Sequence, residues 1–225
     1  MSSTLMVLTA LALAPACTPP MAAKAASAQQ SNMQTPAGAK ELFVGGGCFW
    51  CIEAQLEMYQ GVLEVEAGYA GGKPGAVSYQ EVGRGDTGHA ETARIVYNPQ
   101  EVGADDLLRI FFVIHDPTQL NRQGADIGTQ YRSVVFYRDA EEKALIEKIR
   151  EEVVQEKIWP REIVTTIEPL GEYIRAEEYH QDYYGRYTAA SQTEKASMNA
   201  GYCANVIEPK VRKFREKFKS KLKKD

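Results

Sequence analysis

Leu42-Phe43-Val44-Gly45-Gly46-Gly47-Cys48-Phe49-Trp50-Cys51 reads as a strand, a sharp turn and the start of a helix. The apolar triplet suits a buried strand. The glycines let the backbone turn where other residues would clash. The spacing predicts a helix from roughly Trp50 to Tyr59. Its unpaired N–H groups and positive dipole end would face Cys48. Such a place favours thiolate over thiol, and thiolate is the nucleophile. The adjoining Phe49-Trp50 pair points to an apolar wall beside a reactive sulfur.

Working outward, the same strand–helix alternation continues. Lys40 to Val44 is predicted as a strand and Val62 to Tyr69 as another. Ala70 to Gly88 is rich in Gly, Ser and Asp and reads as a loop. Thr92 to Tyr97 is a strand by its β-branched content, and Asp105 to Ile114 is an apolar, mostly buried helix. His115 to Gln130 is a second long polar loop, and Tyr131 to Tyr137 a strand. Ala140 to Lys157 is an amphipathic helix capped by Asp139, Val164 to Glu168 a last strand, and Glu177 to Tyr184 a short helix. This order is the split βαβ pattern of an α+β, ferredoxin-like two-layer sandwich with extended loops and a C-terminal tail. Long loops inside a compact domain are usually functional.

At 225 residues, 44% hydrophobic and 25% charged, the chain has the composition of one globular domain with tails. A net charge of −4 argues against nucleic acid as a partner. The charge is uneven: Lys210 to Asp225 carries +7, leaving −11 for residues 1–209. Val211, Phe214, Phe218 and Leu222 fall at helical spacing there, so the segment reads as a docked helix with a solvated basic face. Attraction to an anionic membrane is the competing reading. Leu5 to Ala16 is an apolar run too short to span a bilayer but suited to a signal-peptide core. No Lys or Arg precedes Lys24, so the usual positive region is missing. The expected organisation is a leader over 1–23, cleaved or lipidated near Cys17, and a disordered linker over 24–39. A catalytic domain over 40–213 and a basic tail over 214–225 follow. Export to the periplasm or to a membrane anchor follows from a working leader, and a cytoplasmic location if it does not work.

Four ordered segments carry a resemblance. They are Gly47-Cys48-Phe49-Trp50, then Gly85-Asp86-Thr87-Gly88-His89-Ala90-Glu91, then His115-Asp116-Pro117-Thr118-Gln119, then Gly128-Thr129-Gln130-Tyr131-Arg132-Ser133. Together they resemble the A-type peptide methionine sulfoxide reductases, and the likeness runs from about Lys40 to Lys213. The resemblance implies that Cys48 attacks the sulfoxide sulfur and becomes a sulfenic acid, the reversible first step of thiol oxidation. It implies that Glu91 is the acid that protonates the departing oxygen, as a neutral carboxyl in an apolar pocket can. Tyr79, Asp126 and Tyr131 match the polar residues around that oxygen, and Phe49 and Trp50 would bracket the substrate methyl group. The implied substrate is methionine S-sulfoxide, free or in oxidised proteins. No bound cofactor is implied, only an external dithiol such as thioredoxin, and the protein is expected to be a monomer.

Read without the resemblance, Glu91 is a surface glutamate at a strand end. Glu53, on the cysteine-bearing helix, is a solvated or helix-dipole residue, and His180 a structural hydrogen-bonding residue. The second cysteine of the redox pair stays open. Cys203 lies in a Gly-, Ser- and Asn-rich stretch, Ser191 to Asn205, expected to be mobile enough to reach Cys48. Cys51 is three residues from Cys48, as in thioredoxin-like sites, where many relatives carry Gly. A Cys48–Cys203 disulfide first, with Cys51 as second partner or bystander, is the favoured order. The rivals are a disulfide oxidoreductase using Cys48–Cys51 and a zinc module using Cys48, Cys51, Cys203 and His180.

Overall fold

The computed structural model describes residues 35–224. The leader, Cys17 and most of the linker lie outside the described residues. The first four long strands are β1 (Lys40–Gly46), β2 (Val62–Ala70), β3 (Ala90–Tyr97) and, after two short strands described below, β6 (Ser133–Tyr137). β3 lies antiparallel between β1 and β2, and β6 pairs antiparallel with the other side of β1. β1 and β2 are thus parallel strands split by β3, with helix α1 (Phe49–Leu56) as their crossover. β6 and β3 are split by β1 in the same way, with α3 (Ala104–Ile114) crossing over. This is the predicted split βαβ sandwich. α4 (Ala140–Gln155) then leads to β7 (Thr166–Pro169), parallel to β6, and β8 (Ile174–Arg175) closes the far edge on β2. As expected, the Asp139 side chain caps α4, accepting from the amides of Glu141 and Glu142.

Alternation along the strands builds the layers. Leu42 and Val44 of β1, with Ala93, Ile95 and Tyr97 of β3, face a core filled by Ile52, Leu56, Leu107, Leu108, Phe111 and Phe112 from α1 and α3. Burying each large side chain contributes about 1.5–3 kcal/mol. On the opposite face Phe43 packs with Phe136 and, partly, Tyr173. Arg94 there pairs with Glu41 and Glu66. The C-terminal helix α8 (Glu208–Lys217) docks with Val211 and Phe214 buried, and Phe218 and Leu222 pack against the same core. It runs across position 213/214, with Arg212, Lys213, Arg215 and Lys217 exposed and Lys210 half-buried.

Three loops contain more order than predicted. Ala70 to Gly88 includes α2 (Tyr79–Gly83), held by a capping box in which Ser78 and Glu81 satisfy each other's backbone N–H groups. His115 to Gln130 includes a small hairpin, β4 (Arg122–Gln123) with β5 (Asp126–Ile127), followed by a 3-10 turn over Thr129–Tyr131. The stretch expected to be mobile, Ser191 to Asn205, is helical instead. α6 (Gln192–Lys195) and α7 (Ala200–Tyr202) lead into a π turn, Cys203–Ile207, that continues as α8. Its small polar residues act as caps: Ser191 in a box with Glu194, and Asn199 accepting from Tyr202 N–H. The short helix expected over Glu177 to Tyr184 is divided into a 3-10 turn, Glu178–His180, and α5 (Tyr183–Ala189).

Candidate active site

Gly47 sits at φ +93°, and a Cβ on it would come within 2.6 Å of Gln123. The turn between β1 and α1 therefore needs glycine, both for its backbone and for the close approach of β4. It delivers Cys48 to the N-cap position of α1, which begins at Phe49, one residue earlier than predicted. The Cys48 side chain accepts no helix N–H there. The first helix amide, that of Phe49, donates instead to Glu91 Oε2 at 3.1 Å. The first amide of the helix is thus taken by Glu91 and not by the Cys48 sulfur.

Burial then decides the charge state of the sulfur. Cys48 is pushed well above the ordinary thiol range by desolvation, then by Cys51 and the Glu91 carboxyl. Cys51 moves the other way, to about 7, drawn down chiefly by the Cys48 thiol and also by Lys210 of α8. Cys203 is fully buried and raised to about 11. All three are free thiols. They share one buried cluster with Phe49, Trp50, Tyr69 and Tyr183.

Glu91 is not the surface residue that its strand-end position alone would imply. It is 2% exposed on β3, and burial raises its carboxyl to about 8 against the lowering pull of the Phe49 amide. A carboxyl so placed is a neutral acid near pH 7. Tyr79, at the start of α2, and Tyr131, in the 3-10 turn, both pack on the cysteine cluster. Their phenols are raised by burial, by Glu91 and by Cys48, Tyr79 to about 12, so both remain O–H donors. Asp126, on the hairpin, accepts a 2.6 Å hydrogen bond from Tyr202 Oη. Trp50 stacks face to face on Tyr183 at 3.7 Å between ring centroids. All nine predicted site residues are brought to one region.

Two assignments made without the resemblance are corrected. Glu53 is neither solvated nor placed at its own helix's dipole. It is 1% exposed and raised to about 8 by burial, and its carboxyl accepts from the amides of Asp182 and Tyr183 at the start of α5. Both ring nitrogens of His180 lack a hydrogen-bond partner, so it does not play the hydrogen-bonding role expected. It is packed instead against the rings of Phe49, Trp50 and Tyr79.

Sequence reasoning missed Tyr202. Its hydroxyl lies 3.9 Å from Cys51 Sγ as well as on Asp126, and its ring meets Trp50 edge-on. Its place beside Cys203 was the available signal. Glu177 was missed too. It accepts from Tyr69 Oη and from the Tyr79 amide, tying α2 to the sheet edge.

A family model described as peptide methionine sulfoxide reductase matches residues 40–222. The chain belongs to the peptide methionine sulfoxide reductase family. It is 43% identical over 198 residues to a peptide methionine sulfoxide reductase of Deinococcus radiodurans, covering 87% of this chain and 91% of that one. It is 46% identical over 177 residues to the enzyme of Polynucleobacter asymbioticus, covering 79% and 88%. The fold is similar to the crystal structure of Mxr1 from Saccharomyces cerevisiae in reduced form, with a TM-score of 0.66 and 36% identity. That match covers 72% of this chain and 93% of the yeast one. Methionine sulfoxide reductase A of Corynebacterium diphtheriae is also similar, at TM-score 0.60 and 32% identity over 68% of this chain and 77% of that one. A member of this reductase family is a thiol-dependent oxidoreductase, which sets aside the general disulfide exchanger. Among the described residues no group of three or more His, Cys, Asp and Glu is placed to hold a metal ion, so the zinc reading has no site.

Proposed function

We propose that this chain reduces methionine S-sulfoxide, free or in proteins, with Cys48 as nucleophile and Glu91 as acid. The observation that carries the assignment is the placement of the Glu91 carboxyl. It is buried beside the cysteine, raised to about 8 and held by the Phe49 amide. The sulfoxide oxygen takes hydrogen bonds from Tyr79 and Tyr131 and the proton of Glu91, while Cys48 sulfur attacks the sulfoxide sulfur. The S–O bond passes to Cys48 as a sulfenic acid and methionine leaves. The original thiol proton returns to Glu91, so the acid is restored.

A second thiol then condenses with the sulfenic acid, forming a disulfide and releasing water. Cys203 is the first partner in this reading and Cys51 the second. The support for both as partners is their shared buried cluster; of the two thiols, that of Cys51 is lowered to about 7 and that of Cys203 raised to about 11. A thioredoxin-like dithiol reduces the disulfide, becoming oxidised itself. Asp126 keeps its place through Tyr202, and Phe49 and Trp50 hold the methyl group. Export through the apolar run Leu5 to Ala16 is part of the same reading and rests on that run alone. Cell fractionation tests it.

The experiment is steady-state turnover of the two epimers of methionine sulfoxide with a thioredoxin system, for the wild type and Cys48→Ser. Turnover of the S epimer alone, abolished by C48S, is expected. Activity that survives C48S would overturn the assignment.

A further inference from the structure

Tyr183 joins the helix that carries Cys48 and Cys51 to the turn that carries Cys203. Its ring stacks on Trp50 of α1, at 3.7 Å between centroids and 9° between planes. The backbone N–H groups of Asp182 and Tyr183 donate to the Glu53 carboxyl of the same helix, at 2.7 and 3.2 Å. Asp182 is held at φ +44° there. That left-handed conformation is uncommon outside glycine and persists only where the surroundings impose it. The start of α5 is therefore fixed to α1 by backbone and ring together. The hydroxyl of the same tyrosine accepts from the backbone N–H of Asn199 at 2.8 Å.

Asn199 anchors the Cys203 turn. Its side chain accepts from the Tyr202 N–H at 3.2 Å, and its carbonyl from the Cys203 N–H at 3.0 Å. Those two bonds lie within the turn and can move with it. The bond to Tyr183 ties the turn's backbone to another element. Tyr202 Oη on Asp126 is a second outside tie, but it holds a side chain and leaves the backbone free. Cys203 itself is fully buried in the cluster that includes Tyr183, and it is a free thiol. A disulfide brings two sulfurs to about 2.05 Å, closer than unbonded thiols can stand. The turn must therefore shift as Cys203 bonds to Cys48, and the Tyr183 bond opposes that shift.

We propose that the Tyr183 hydroxyl is a latch on the Cys203 turn, a positioning group that sets how fast Cys203 reaches the Cys48 sulfenic acid and takes no part in the attack on the sulfoxide. The step it governs forms the S–S bond: the Cys203 sulfur displaces the sulfenic hydroxyl, which leaves as water with the thiol proton. The sulfoxide has already supplied the oxidising equivalent, so no further oxidant enters. The inference rests on the sulfoxide reductase reading with Cys203 as first partner. Removing one hydrogen bond of ordinary net strength raises the population of the released turn about two- to tenfold.

Tyr183→Phe removes the hydroxyl and keeps the ring that stacks on Trp50. Glu53→Gln is the second variant, in case the first fails to fold. A carboxamide has one oxygen where the carboxyl has two, so one of the two amides at the start of α5 loses its acceptor. Fully reduced protein is mixed with methionine S-sulfoxide, without reductant, and quenched at intervals. Methionine reports the attack on the sulfoxide, and loss of the second thiol reports the disulfide. In either variant methionine formation should stay within about twofold of the unaltered protein, while disulfide formation becomes about two- to tenfold faster. An unchanged or slower disulfide step, or an equal change in both steps, would overturn the latch. A Cys48–Cys51 bond in the unaltered protein would also overturn it and leave the reductase reading standing. No methionine from the unaltered protein would overturn both.

Discussion

The backbone N–H of Phe49 donates to Glu91 Oε2 at 3.1 Å. This bond joins the proposed acid to the peptide unit that follows the proposed nucleophile. Burial nevertheless keeps the Glu91 proton on up to about pH 8. Activity is therefore expected to hold through neutral pH and to fall as pH rises past 8. A kcat profile in pH reads this directly. Glu91→Gln keeps the shape without the acidity and should lower kcat by about 10²–10⁴-fold. An E91Q enzyme with wild-type kcat would remove Glu91 from the chemistry.

The same group has a sign in stability. Its folded pKa is raised above the unfolded value, so its favourable contribution is complete below about pH 4.5 and declines as pH rises through about 8. Chemical denaturation at pH 5 and pH 8 should show a larger loss for the wild type than for E91Q. Glu53, also raised to about 8, predicts the same for Glu53→Gln. Glu53→Ala should cost about 1–3 kcal/mol, since the Asp182 and Tyr183 amides lose their acceptor.

Tyr202, next to Cys203, reaches the hairpin that carries Asp126 through a 2.6 Å hydrogen bond to its carboxylate. Tyr202→Phe removes that bond and should cost about 1 kcal/mol in urea unfolding. It should also raise KM for the sulfoxide, because Asp126 loses the donor that orients it. Unchanged KM and stability together would make the contact incidental.

The C-terminal helix is held by Val211 and Phe214, both nearly fully buried. Phe214→Ala is expected to cost about 3–5 kcal/mol. Truncating after Lys223, whose N–H donates to the Met58 carbonyl at 2.9 Å, should cost almost nothing. The reverse order of effects would return the segment to a membrane-binding tail.

The fold was legible because its signals are local. Val44 and Leu42 alternate into the core, Asp139 caps α4, and Leu107, Leu108, Ile110, Phe111 and Phe112 have no other use than burial. Of the nine proposed site residues, Cys48, Phe49, Trp50, Glu91 and Tyr131 lie in the four quoted segments, while Cys51, Tyr79, Asp126 and Cys203 lie outside them. What escaped depends on distance in sequence. Glu53 meets Asp182, and Tyr202 meets Asp126, across more than seventy positions, and no spacing rule reaches that far. The thiolate expectation for Cys48 failed because a helix end is visible in sequence while burial at 7% exposure is not. The order in Ser191 to Asn205 was hidden because capping residues and loop residues are the same amino acids.

The most direct test is a single turnover of fully reduced protein with methionine S-sulfoxide and no reductant, followed by thiol counting and disulfide mapping. At least one methionine per protein, with a Cys48–Cys203 bond, is the predicted result. No methionine, with Cys48, Cys51 and Cys203 still reduced, would contradict the account.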